Sequence, residues 1–278
     1  MARKSTYEVV LDAGMFTPIQ LQPTAVGRLG FQSGTRWVRD HVCSHRRLVS
    51  EHRVGFVLWS WQLEYEKPLR FDDADAITVA VEARVRGPRS SQLEFETTFS
   101  SSAGMAVRTR ATSVPLQLSG DAALSGTPAV LPASLVSAFQ DDEVERTASR
   151  SPVPALRAAF ERDGERLASD SEDLPTFRIH RHHCEVADQW YWAESLGFAA
   201  GAREEFVRRH GAAIPELRSA LSTGFRRIDA TWLRTGQLWD LLQVRTTAYR
   251  YGECIAFVHE LELVGDEDGP YAIIVERT

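Results

Sequence analysis

Alternating apolar and polar positions mark a strand-rich region in the first half of the chain. Residues 54–65 (VGFVLWSWQLEY) are rich in β-branched and aromatic side chains, and residues 76–85 alternate strictly. Glycine and proline at 87–88 predict a turn, and further strands are predicted at 92–99 and 105–118. This pattern is typical of an antiparallel meander. Ahead of it, apolar residues at helical spacing predict a helix over 33–48, with Ser33 as its N-cap.

The same order of elements is predicted again after residue 174. A strand at 177–186 leads into a helix at 189–209, and strands follow at 224–233, 238–250, 253–264 and 270–276. Between the halves, residues 131–173 are polar and acidic, with one short helical run at 155–167. The pattern predicts two α+β domains, 1–130 and 174–278, joined by a linker with short helices.

Composition narrows the class of protein. The 278 residues are 43% hydrophobic and 25% charged, with a net charge of −6, which is ordinary for a soluble globular protein and argues against nucleic-acid binding. The three cysteines are far apart, and Arg3 and Lys4 precede no apolar run. We therefore expect a cytoplasmic protein without a signal peptide, membrane segment, metal or cofactor.

One segment of the second half carries a family resemblance. Residues 177–206 (FRIHRHHCEVADQWYWAESLGFAAGAREEF) are similar to the first strand, loop and long helix of the 4-hydroxybenzoyl-CoA thioesterase family, which ends in an Ala-Arg-x-x-Phe-like element. Residues 65–79 look like the matching part of a second copy. The resemblance implies two tandem hotdog domains, each a long helix wrapped by an antiparallel sheet, as in acyl-carrier-protein thioesterases. It implies hydrolysis of an acyl-CoA or acyl-carrier-protein thioester, and a homodimer is possible.

The resemblance also suggests where the chemistry lies. The family's catalytic aspartate falls on or near Glu185, and its His-Val-Asn-Asn sequence is replaced by residues 189–192. Residues 25–34, taken as the matching loop of the first copy, contain no acid and no histidine. The first domain is therefore expected to be catalytically degenerate, with the active site in the second.

Thioester hydrolysis needs a group that activates water, or attacks directly, and donors for the developing oxyanion. Glu185 is the candidate base or nucleophile, and Glu194 is the second acid. The backbone N–H groups of Gln189, Trp190 and Tyr191 are expected at the positive end of the helix. Gln189 could also orient water, and the Tyr191 hydroxyl could donate a hydrogen bond.

Further candidates follow from position. Strand alternation predicts His183 on the same side as Glu185. Trp190 is expected to line the substrate pocket, and a CoA or pantetheine phosphate could be held by Arg84, Arg86 and Arg89. Each of these residues could instead be an ordinary core or surface side chain.

Other interpretations stay open. The histidines at 180, 182 and 183 resemble metal ligands, although alternation separates them, and Cys184 could be a nucleophile or simply packing. The fold would equally suit a non-catalytic acyl-binding double hotdog or a dehydratase/hydratase.

Overall fold

A computed structural model describes residues 3–119, 126–139, 144–145, 147–171, 173–185, 189–266 and 268–278. Contacts divide the chain into two compact units, Met1–Arg150 and Ser151–Thr278. The predicted linker, 131–173, is therefore shared between the units and does not stand apart from them. Within the described ranges, no helix has both the length and the apolar character needed to cross a membrane.

The first unit places helices against one antiparallel sheet. Its helices are α1 (Pro23–His41), α2 (His45–Ser50) and α3 (Ala133–Val136). Its strands are β1 (Lys4–Val10), β2 (Val54–Tyr65), β3 (Ala76–Arg86), β4 (Gln92–Ser101), β5 (Gly104–Leu118), β6 (Gly126–Pro128) and β7 (Val144–Glu145). The sheet order is β1-β3-β4-β5-β2, with β6 beside β5 and β7 beside β3. Trp37 of α1 is fully buried against Val81 and Leu93 of the sheet.

The first long helix begins earlier than predicted. It starts at Pro23, whose fixed φ and missing N–H suit the first helical position. Ser33 is not an N-cap, because it is buried inside the helix and donates its hydroxyl to the Leu29 carbonyl (2.6 Å). Residues 25–34 thus belong to α1. The segment that precedes the helix is 11–22, and it contains an acid, Asp12.

The second unit repeats this plan. Its helices are α4 (Val153–Asp163), α5 (Trp192–His210) and α6 (Pro215–Thr223). Its strands are β8 (Glu165–Ser169), β9 (Thr176–Arg178), β10 (Arg227–Trp232), β11 (Leu241–Tyr251), β12 (Cys254–Leu263) and β13 (Ala272–Arg277). The order β9-β11-β12-β13-β10 matches that of the first unit strand for strand, with β8 also on β11. Because the strand orders match and the long helices α1 and α5 each have 19 residues, the two units are structural copies.

Helices cover both faces of the second sheet. Phe160 of α4 packs with Ala256 and Val258 of β12. Phe206 of α5 contacts Phe257, the residue between them, at 6.2 Å between ring centroids. Because neighbouring strand residues face opposite sides, α4 and α5 lie on opposite faces. The helical run predicted in the linker is thus an integral layer of this unit.

Two predictions at the start of the second copy are wrong in detail. Strand β9 ends at Arg178, and a 3-10 turn follows at Arg181–His183, so no continuous strand runs over 177–186. Helix α5 begins at Trp192, three residues later than predicted. The predicted end of that strand at Val186 and the predicted connection at Ala187-Asp188 lie outside the described residues. The sequence pattern does not predict α6: a proline after a helix is typical of a helix end, whereas Pro215 occupies the first position of a new helix.

Candidate active site

Two short antiparallel segments, 183–185 and 189–191, precede α5 and contain most of the candidate residues; together they are called the hairpin. Cys184 forms an antiparallel bridge with Trp190. On either side of it, the Glu185 N–H donates to the Gln189 carbonyl and the Tyr191 N–H donates to the His183 carbonyl, each at 2.9 Å. The candidate residues Glu185 and Gln189 are therefore neighbours across this pairing, and so are His183 and Tyr191.

The hairpin is fixed to the loop ahead of β11. The Trp190 N–H donates to the Gly236 carbonyl (3.0 Å), and Gln189 forms a bridge with Gln237. A side chain at position 236 would crowd its neighbours, because an added Cβ would lie 2.9 Å from the terminal Cδ1 of Ile179 and 3.4 Å from Cε3 of Trp190. Close backbone approach at this glycine holds Trp190 in place.

Trp190 of the hairpin packs in a cluster of aromatic side chains. The Trp190 ring is 5% exposed. It stacks on Phe198 of α5 (5.1 Å between centroids) and contacts Tyr271 at 4.8 Å. Phe198 in turn stacks on Phe177 of β9 (4.7 Å). These contacts leave the Trp190 ring little freedom to move.

The histidines at 180, 182 and 183 contact one another around the 3-10 turn at Arg181–His183. His183 Nδ1 accepts a hydrogen bond from the His180 N–H (3.1 Å), and the His182 and His183 rings lie 3.9 Å apart. Burial lowers the pKa of His183, the nearby His182 and His180 act in the same direction, and Glu194 and a backbone hydrogen bond with Arg178 oppose them. A neutral ring already engaged with the backbone suits a positioning role. The described residues contain no group of three or more potential ligands that could hold a metal.

Two carboxyl groups flank the start of α5. Glu185 is exposed at the surface, yet the protein on one side of its carboxyl desolvates it and raises its pKa. Glu194 occupies the first turn of α5, where the helix dipole stabilises negative charge. A carboxyl with a raised pKa is a stronger proton acceptor once ionised, so Glu185 is the first candidate for a general base and Glu194 is the second.

The predicted backbone donors need correction. The N–H groups of Trp190 and Tyr191 already donate to Gly236 and His183. Because α5 begins at Trp192, the positive end of the helix lies at Trp192 and Ala193, not at 189–191. Tyr191 is the residue that precedes the helix.

The three arginines lie in the first unit. Arg84 pairs with Glu96 across the sheet (3.6 Å), and Arg86 pairs with Glu94 (2.9 Å). Arg89 is exposed in a turn with a positive φ of 56°. Arg84 and Arg86 are therefore committed to carboxylates of their own sheet.

Tyr271 is the site residue that sequence reasoning missed. It is 3% exposed and begins the segment leading into β13. Burial strongly raises its pKa; a backbone hydrogen bond from Gly236 opposes this, and the charge of Glu185 adds to it. No local pattern could have linked residues 185, 236 and 271, because only the folded sheet brings them together.

Solved structures share this fold over nearly the whole chain. A protein assigned as an oleoyl thioesterase from Lactobacillus plantarum matches with a TM-score of 0.74 and 10% identity, covering 99% of this chain and 96% of its own. The 12:0-ACP thioesterase of Umbellularia californica matches with a TM-score of 0.71 and 9% identity, covering 99% and 93%. An acyl-ACP thioesterase of Bacteroides thetaiotaomicron gives 0.66 and 12%, covering 98% and 96%.

No protein-family model and no curated protein sequence matches the chain. The structural likeness confirms the predicted α+β fold of two tandem hotdog domains.

Proposed function

We propose that this protein is an acyl thioesterase whose active site lies in the second unit, at the start of α5. The observation that carries the proposal is the carboxyl of Glu185, held in a hairpin beside that helix with a raised pKa. It occupies this place in a fold shared with proteins described as acyl-ACP thioesterases.

The residues support a hydrolysis in which water attacks directly. The Glu185 carboxylate accepts a proton from water, and the water oxygen adds to the thioester carbonyl carbon. When the carbon–sulfur bond breaks, the thiolate takes the proton from Glu185, releasing a carboxylic acid and a free thiol. Gln189, the cross-strand partner of Glu185, would orient the water, and Glu194 is the second acid. The Tyr191 hydroxyl remains a candidate donor.

The substrate is an acyl chain on CoA or on an acyl carrier protein. Both arise from the resemblance, and similar structures are described as acting on acyl-ACP and oleoyl thioesters. Since Arg84 and Arg86 are paired with glutamates, Arg89 is the better candidate of the three for a carrier phosphate. The three cysteines are free thiols, which suits a cytoplasmic protein.

The test is thiol release from a panel of acyl-CoA and acyl-carrier-protein thioesters. We expect turnover by the wild type and a fall of about 10²-fold or more in Glu185→Gln, the range for loss of a general base. Glu204→Gln, which changes an exposed glutamate of α5 away from its first turn, is the control and should retain turnover.

Other outcomes separate the alternatives. Turnover retained in Glu185→Gln but lost in Glu194→Gln would move the base to the helix. Binding of acyl thioesters without thiol release would indicate the non-catalytic double hotdog. Water addition to an enoyl thioester would indicate the hydratase.

A further inference from the structure

Three polar residues form one row across the hairpin and the loop ahead of β11. Glu185 and Gln189 are opposite each other, since the Glu185 N–H donates to the Gln189 carbonyl at 2.9 Å. Gln189 in turn forms an antiparallel bridge with Gln237 of the loop. Residues directly opposite one another in antiparallel pairing place their side chains on the same face. The row therefore runs Glu185, Gln189, Gln237, with all three side chains on one face.

This face is the one that meets solvent. Glu185 and Gln237 are exposed, and Gln189 is partly exposed. The neighbouring residues Trp190 and Gly236 are buried, and a Cβ added at Gly236 would lie 3.6 Å from Cβ of Trp190, on the opposite face. Burial thus agrees with the pairing, and one ligand arriving from solvent meets the whole row.

Gln237 extends from a loop with a fixed backbone. Its N–H donates to the Asp240 carboxylate (2.8 Å), and its carbonyl accepts the Asp240 N–H (3.1 Å). Trp239 has a positive φ of 77°, which costs free energy in a residue other than glycine. The Trp239 N–H donates to the Ile179 carbonyl (2.9 Å), and the Trp239 carbonyl accepts from Arg178 (2.8 Å). These bonds hold the strained loop in one conformation.

The row has the length that the reaction needs. A base about 3 Å from a water, a water about 3 Å from the carbonyl carbon, and a donor about 3 Å from the carbonyl oxygen together span about 10 Å. Adjacent strands lie about 4.8 Å apart, so the ends of a row across three segments are also about 10 Å apart. The water and the thioester carbonyl therefore fit between Glu185 and Gln237, with Gln189 beside the water.

A donor for the carbonyl oxygen is still needed at this place. The backbone N–H groups of Trp190 and Tyr191 already donate to Gly236 and His183. A glutamine side chain carries two N–H donors, and a donor on a fixed backbone needs little reorganisation as charge develops. Gln237 supplies such a donor at the end of the row opposite the base.

Resting on the proposed function, we propose that the side-chain amide of Gln237 donates a hydrogen bond to the carbonyl oxygen of the acyl thioester. As the water oxygen adds to the carbonyl carbon, the carbonyl electron pair moves onto the oxygen, and the N–H stabilises the charge. When the carbon–sulfur bond breaks, the pair returns to re-form the carbonyl. The proton that Glu185 took from water passes to the thiolate, and Gln237 exchanges none.

Gln237→Met tests this role, because it keeps the length of the side chain and removes its N–H donors. We expect kcat to fall about 10-fold or more, with KM within about twofold. Gln237→Glu should lose at least as much, since it puts a negative charge beside the developing oxyanion. Gln32→Met makes the same change at an exposed glutamine of α1 and should retain kcat. Thermal melts of all three variants should match the wild type, because both glutamines are exposed.

An unchanged kcat in Gln237→Met would overturn the proposal, and so would an equal fall in Gln32→Met. If kcat is unchanged in Gln237→Met but falls in Tyr191→Phe, the donor is the Tyr191 hydroxyl instead.

A ligand that cannot be hydrolysed separates this inference from the proposed function. The probe is the fastest acyl-CoA of the panel, or dodecanoyl-CoA if the wild type releases no thiol, with CH₂ in place of the thioester sulfur and ¹³C at the carbonyl. A donated hydrogen bond weakens the C=O bond, so isotope-edited infrared spectra should show a higher carbonyl frequency in Gln237→Met than in the wild type. That shift, or binding lost in Gln237→Met alone, supports the donor role even if no thioester is hydrolysed. Equal frequencies, or no binding by the wild type, contradict it.

Discussion

The two long helices begin in very different ways, although the units around them are copies. Before α1, the chain bonds to itself: the Gln22 amide donates to the Phe16 carbonyl (2.8 Å) and the Thr17 N–H donates to the Gln20 carbonyl (2.9 Å). Asp12 accepts from the Gly14 N–H (2.8 Å). Before α5, a hairpin instead presents Glu185 with a raised pKa. The same scaffold is closed by local hydrogen bonds in one copy and presents the carboxyl that we propose as the base in the other.

The helices are also attached differently. In the first unit a neutral pair joins α1 to β1, with the Tyr7 hydroxyl 2.7 Å from that of Ser33. In the second, Arg203 of α5 forms a buried ion pair with Glu276 of β13, which also bonds His259 (3.1 Å). This explains the arginine of the Ala-Arg-x-x-Phe element: it anchors the helix that carries the site.

Among the variants considered, removal of the buried Glu276 carboxylate in the second unit should lower the free energy of unfolding most. Burial alone would raise the pKa of Glu276, but Arg203 and His259 lower it to about 2. In Glu276→Gln we expect a loss of about 3 kcal/mol in unfolding free energy, since Arg203 is left buried without its partner. Ser33→Ala, which removes the neutral tie, should lose only about 1 kcal/mol. Urea denaturation of both variants measures the difference, and equal losses would refute it.

Acid should weaken the same attachment. Because the folded-state pKa of Glu276 lies below its ordinary value of 4.5, its contribution is complete above pH 4.5 and is lost as pH falls toward about 2. The stability difference between wild type and Glu276→Gln should shrink over that range.

Glycine substitutions should have opposite signs in the two copies. Gly236→Ala places a Cβ 2.9 Å from Cδ1 of Ile179 and 3.4 Å from Cε3 of Trp190, and we expect a cost of about 1 kcal/mol, because the buried Ile179 side chain must shift. Gly30→Ala in α1 meets only Thr109 at 3.6 Å and should stabilise the helix by up to about 1 kcal/mol. Thermal melts of both variants test this, and a stabilised Gly236→Ala would show that the close approach is not needed.

The pH dependence of activity should report Glu185. Its pKa is raised above 4.5, so the inactive protonated form persists to higher pH than for an ordinary glutamate. We expect kcat/KM to fall on the acid side through that raised pKa, and the profile of Glu204→Gln to be unchanged. A flat profile from pH 4 to 8 would contradict the role of Glu185 as base.

The strands were predictable where side chains alternate, and the site was only partly so. Residues 54–65 coincide with β2, since β-branched and aromatic runs read directly as strand. Ser33 misled the prediction of α1, because a serine that bonds back to the preceding turn has the sequence signature of a cap. The hairpin and the contacts of Tyr271 and Glu276 depend on pairing across the sheet, which no local pattern encodes.

The most direct test of the account compares the acids of the two copies. Asp12→Asn and Glu185→Gln should be measured side by side for kcat/KM on the best thioester of the panel. The account predicts a fall of about 10²-fold or more for Glu185→Gln and an unchanged value for Asp12→Asn, whose amide oxygen can still accept from Gly14. Equal losses, or a loss in Asp12→Asn alone, would contradict the assignment of the chemistry to the second copy.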